Sequence, residues 1–158
     1  MATALKNLSQ YRSDNLPDIN HKRFGIVVAE WNEGITGALL QGAMQTLLKA
    51  GAREDNIVVK TVPGSFELSL GAQWLAQQPT IEAVIALGCI IQGETRHFDF
   101  IAQAVADGIT QVGLKYNKPV IFGVLTIQNL AQAEDRAGGK HGNKGDEAAY
   151  TAIRMLGF

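Results

Sequence analysis

A chain of 158 residues, 46% hydrophobic and 18% charged, suits one domain around a packed apolar core and excludes wholesale disorder. A formal net charge of -1 gives no field that would draw nucleic acid or an anionic membrane, so neither is expected as a partner. No run reaches the roughly 18 apolar residues of a membrane helix, residues 1–20 lack the apolar stretch of a secretory signal, and the single cysteine, Cys89, can form no intrachain disulfide; a soluble cytoplasmic protein is expected.

Residues 1–20 carry little periodicity and are expected to form an extended arm ahead of a single domain over 21–158. Phe24–Ala29 is the first of four apolar runs that look like buried strands; Ile57–Val62, Ala83–Ile91 and residues 120–125 are the others. Their nearly continuous Val and Ile content is what a sheet covered on both faces requires. After the first run, Ile35, Ala38, Leu39, Gly42, Ala43 and Leu47 make a helical stripe, and Gly51 stands where that helix would stop. Leu68, Gly71, Ala72 and Leu75 make a second stripe, ended by Pro79. Phe98, Ile101, Ala102, Val105, Ile109 and Val112 make a third, and a last helix is expected at about residues 146–156. Strand and helix alternate, so the class is α/β: a three-layer sandwich with a mostly parallel sheet and helices on both faces.

Ligands of an open parallel sheet sit beyond the carboxyl ends of its strands. That rule selects residues 30–36, 63–67, 88–97 and the segment from Thr126 onward. In Gly93-Glu94-Thr95-Arg96-His97 a glycine precedes a helix start, where free amides favour an anion. His97 is of the one residue type that exchanges protons near neutral pH, though it serves equally as a helix cap. The segment Arg136-Ala137-Gly138-Gly139-Lys140-His141-Gly142-Asn143-Lys144-Gly145 mixes glycines with cations, which suits a bent backbone around a phosphate or an ordinary interhelical turn. Trp31 and Phe66-Glu67, each just past a strand, can stack and bind a planar heterocycle or pack at a rim. Phe122, inside the fourth run, reads as core. The three histidines lack the close spacing of a metal site, and no nucleophile elbow or dinucleotide fingerprint occurs.

Taken together, the clusters strongly resemble the lumazine synthase family. The resemblance is carried by Val62-Pro63-Gly64-Ser65-Phe66-Glu67-Leu68, Leu87-Gly88-Cys89-Ile90-Ile91-Gln92-Gly93-Glu94-Thr95-Arg96-His97-Phe98-Asp99, Phe122-Gly123-Val124-Leu125-Thr126 and the glycine-rich segment from Arg136 to Gly145. It implies a doubly wound, flavodoxin-like sheet of four strands. It also implies condensation of 5-amino-6-(D-ribitylamino)uracil with 3,4-dihydroxy-2-butanone 4-phosphate, the penultimate step of riboflavin biosynthesis, with no cofactor and no metal.

By the same resemblance Trp31 stacks on the pyrimidine. Ser65, Phe66 and Glu67 bind pyrimidine and ribityl chain, helped by the backbone of Cys89, Ile90 and Ile91. Glu94, Thr95 and Arg136 hold the phosphate, and His97 moves protons. Phe122, Arg136 and Lys144 reach in from a neighbouring subunit. The implied partners are therefore copies of the chain, a homopentamer and beyond it an icosahedral shell of about sixty subunits, with riboflavin synthase as a further partner. A flavin- or pterin-binding module and an inactive shell protein are the competing readings, and neither needs His97 and Arg136 together. Arg96 departs from the family pattern, as do Ser69 and Ile127-Gln128, and Arg96 would bring an additional charge beside the phosphate site.

Overall fold

Four parallel strands carry the fold of residues 16–158, the part of the chain that the computed structural model describes. They are β1 (Phe24–Ala29), β2 (Ile57–Val62), β3 (Ala83–Ile91) and β4 (Val120–Ile127), in the spatial order β2-β1-β3-β4. Phe24 stands opposite both Ile57 and Ala83, and Val84 opposite Val120. Around them lie α1 (Glu33–Lys49), α2 (Leu68–Ala76), α3 (His97–Tyr116), α4 (Leu130–Glu134) and α5 (Lys144–Met155). A small antiparallel hairpin of β5 (Ala137–Gly139) and β6 (Gly142–Asn143) precedes α5.

Alternate strand residues serve two cores, because successive side chains point to opposite faces of a sheet. Phe24, Ile26 and Val28 of β1 pack with Leu39 and Leu47 of α1 and Ile153 of α5. Val27 and Ala29 pack on the other side with Leu68 and Ala72 of α2 and with Val105 and Ile109 of α3. The central strands β1 and β3 are therefore dry on both faces, which explains why they read as continuous rather than alternating apolar runs. The edge strands β2 and β4 are partly exposed. The expected three-layer α/β arrangement is the one observed.

Helix α1 ends where Gly51 predicts. The amide of Ala52 donates to the Leu47 carbonyl and that of Gly51 to the Leu48 carbonyl, each at 3.0 Å. Gly51 has φ 100, a left-handed conformation that costs glycine little, and the two bonds satisfy carbonyls that the helix end leaves open.

Three details differ from expectation. β4 continues beyond residue 125 to Ile127, still paired with β3. The last helix begins at Lys144 rather than at about residue 146, because Asn143 Oδ1 accepts the Gly145 amide at 2.7 Å and caps it there. Phe122 is not core: β4 is an edge strand, and Phe122 on it is 42% exposed. An apolar run has the same periodicity at an edge as at the centre of a sheet, so the sequence could not separate the two. Of the extended arm expected over residues 1–20, residues 1–15 lie outside the described part. Ile19, just before the expected domain start, is fully buried in the core beside α1.

Candidate active site

The carboxyl ends of β1, β2 and β3 open into one cleft of about 560 Å³. Trp31 enters it from the turn after β1. Ser65, Phe66 and Glu67 enter on a single 3-10 turn after β2, and Cys89, Ile90 and Ile91 form the end of β3. Thr95 and His97 close the far side at the start of α3. Nine residues named from the sequence thus share one concave surface.

Local bonding fixes the rim. The Glu30 amide donates to the Val62 carbonyl at 2.8 Å and the Trp31 amide to that of Pro63 at 3.1 Å, which ties the β1 exit to the β2 exit. Trp31 and Phe66 remain 71% and 56% exposed, so two aromatic faces stand open where a planar ring could stack. Glu67 Oε2 accepts the Gly64 amide at 3.0 Å, which orients the carboxylate at the cleft. His97 is the first residue of α3, and its amide donates to Thr95 Oγ1 at 3.4 Å. Burial pushes the Cys89 thiol up to about 11. The sulfur is therefore protonated at neutral pH and no nucleophile.

One cleft residue went unnoticed in the sequence. Asn32 has a left-handed backbone, and its Nδ2 donates to the Cys89 carbonyl at 3.0 Å. An asparagine just before a helix signals an N-cap, and nothing local reveals a bond to a residue 57 positions away.

Phe122, Arg136 and Lys144 lie elsewhere. They line a second cleft of about 550 Å³, between the β4 edge and the start of α5, which shares no residue with the first. Arg136 Nη1 donates to the Gln132 carbonyl at 3.0 Å, and Lys144 pairs with Glu147, a residue the sequence did not single out. Glu94 lies exposed in the loop after β3 and lines neither cleft. Arg96 also lines neither. Its Nε lies 3.5 Å from Asp99 Oδ2 and its guanidinium 5.8 Å from the Phe100 ring centre, so its charge is turned along the helix.

A family model described as 6,7-dimethyl-8-ribityllumazine synthase matches residues 21–158. The chain belongs to that family. The lumazine synthase of Cytophaga hutchinsonii is 65% identical over 99% of this chain and 98% of its own. That of Parabacteroides distasonis is 55% identical over 100% of this chain and 99% of its own, and that of Flavobacterium johnsoniae 49% identical over 98% and 82%. Lumazine synthase membership makes the chain an enzyme, a transferase of riboflavin biosynthesis. Among the described residues no helix is long and apolar enough to cross a membrane.

Proposed function

We propose that the chain condenses 5-amino-6-(D-ribitylamino)uracil with 3,4-dihydroxy-2-butanone 4-phosphate, releasing phosphate and water, in a site completed by a neighbouring copy. The observation that carries this reading is the division of the site residues between two clefts with no residue in common. The first supplies a ring slot between Trp31 and the β3 backbone, the Glu67 carboxylate, and His97 at a helix start. The second supplies an aromatic face from Phe122 and cations from Arg136 and Lys144. Neither cleft alone offers both a planar-ring site and an arginine for a phosphate.

In this reading the pyrimidine lies against Trp31 and residues 89–91, with its ribityl chain toward Ser65 and Phe66. The phosphate lies between Thr95, the Glu94 backbone and Arg136 of the neighbour. The amine of one substrate condenses with the ketone of the other and loses water, and phosphate leaves. The second nitrogen then closes the ring on the remaining carbonyl with loss of a second water. Both substrates are already reactive, so holding them together supplies much of the acceleration. His97 carries protons between the steps.

The closed assembly that shares such a site is a homopentamer, and the short segment between α4 and α5 favours a shell of about sixty subunits. There the hairpin turns at Lys140-His141, with Gly138 and Gly142 at φ 118 and 73 and no inserted residues. A cytoplasmic location and riboflavin synthase as a partner belong to the same proposal. Mixing the purified protein with both substrates tests it: product fluorescence with phosphate released in equal amount is expected, and the absence of both signals would overturn it. Light scattering tests the shell, which particles of only five or ten subunits would refute.

A further inference from the structure

β1 and β3 part before β3 ends. β1 pairs with β3 only as far as Val28 opposite Leu87, whereas β3 runs on beside β4 to Ile91. Beyond Leu87 the chain on the β1 side turns through Trp31 and Asn32 into α1, so the Cys89 carbonyl has no strand there to bond with. The Asn32 side chain fills the gap, its Nδ2 donating to that carbonyl at 3.0 Å.

This is an unusual use of the residue. An asparagine at a helix N-cap ordinarily accepts amides of its own first turn. The Asn32 side chain makes no such bond, and the amides of Ile35 and Thr36 go to its backbone carbonyl instead, at 2.8 and 3.0 Å. Its backbone sits at φ 64, ψ 43, and Asn117 is the only other described non-glycine residue at positive φ. Asparagine tolerates that region better than most side chains, but holding a residue there still has a cost, and such residues concentrate at functional sites. Here the conformation does two things at once. It leaves Trp31 exposed on the rim, and it aims the amide inward at β3.

We propose that Asn32 is a positioning residue for the ring slot: its amide replaces the missing β1 backbone at the Cys89 carbonyl and so sets the spacing between Trp31 and residues 89–91. The inference rests on the proposed binding of the pyrimidine in this cleft. A flat ring packed between an indole and a strand is sensitive to that spacing, because a gap of about 0.5–1 Å forfeits a quarter to a half of the contact attraction. The phosphate-bearing substrate is held by other groups, so loosening the slot falls on one substrate.

Two variants test this. Asn32→Gly keeps the left-handed backbone without strain and deletes the donor. Asn32→Asp keeps shape and backbone tolerance but sets an acceptor against the Cys89 carbonyl. Steady-state kinetics should show KM for the ribitylaminouracil raised on the order of tenfold in Asn32→Gly and more in Asn32→Asp. KM for the butanone phosphate should stay within about twofold of wild type. Equal rises in both constants, or a lower melting temperature with both constants unchanged, would overturn the inference alone. Wild-type protein that forms no product would overturn the functional reading, and this inference with it.

Discussion

Lys144 and Glu147, one turn apart at the start of α5, form an ion pair whose side chains are only 13% and 8% exposed. The pair lines the β4-edge cleft beside Arg136, so it holds Lys144 where the proposed shared site calls for a cation. Removing one partner of a buried pair strands the other charge, at about 3–5 kcal/mol. Glu147→Ala should therefore cost about 3 kcal/mol in urea unfolding, and adding Lys144→Met should recover at least half of it. A cost under about 1 kcal/mol would mean that solvent already screens the pair.

His97 stands at the first position of α3, exposed and lining the ring cleft. In the proposed reaction, which positioning dominates, it carries the protons. His97→Ala should lower turnover on the order of 10- to 1000-fold while leaving assembly and melting temperature intact. Wild-type turnover in that variant would remove His97 from the mechanism.

Arg136 is held by the bond from Nη1 to the Gln132 carbonyl, which fixes its guanidinium in the second cleft. Arg136→Ala should raise KM for the butanone phosphate by at least about tenfold and change KM for the ribitylaminouracil by less than about twofold. Equal losses for the two substrates would assign Arg136 a structural role.

Glu82 clamps the amino ends of β1 and β3. Burial pushes its carboxyl up, but the Lys22 ammonium at 2.7 Å, the Arg23 amide at 3.1 Å and the charges of Lys22 and His21 outweigh this and hold it below its ordinary value. A lowered carboxyl stabilises the fold above the unfolded-state value of about 4.3, and that stability is lost as pH falls through the folded value. The pair is about one-third exposed, so solvent screening limits it to about 1 kcal/mol. Glu82→Gln should melt about 2–4 °C below wild type at neutral pH, with the gap closing below about pH 4. A gap unchanged with pH would place the loss in shape rather than charge.

Much of this fold is legible in the chain because its central strands, β1 and β3, are dry on both faces. Phe24–Ala29, Ile57–Val62 and Ala83–Ile91 stand at the bounds their apolar runs predict, and Gly51 marks the end of α1. What stayed hidden depends on tertiary position. Phe122 looks like core until the strand order places β4 at an edge. The hairpin at residues 137–143 rests on a bond pattern that a glycine-rich segment does not specify. The same limit applies to the site. The rule of carboxyl ends finds Trp31, Phe66 and His97, but the bond from Asn32 to Cys89 and the pair of Lys144 with Glu147 exist only once distant segments meet.

The proposed site is built from two subunits, with His97 from one and Arg136 from its neighbour. Co-expressing His97→Ala with Arg136→Ala tests this most directly. In randomly mixed rings about one interface in four joins an intact His97 to an intact Arg136, so activity should rise to about a quarter of wild type, well above either variant alone. The two variants assembled separately and then combined serve as the control and should show no gain. Mixed rings no more active than that control would contradict the shared site.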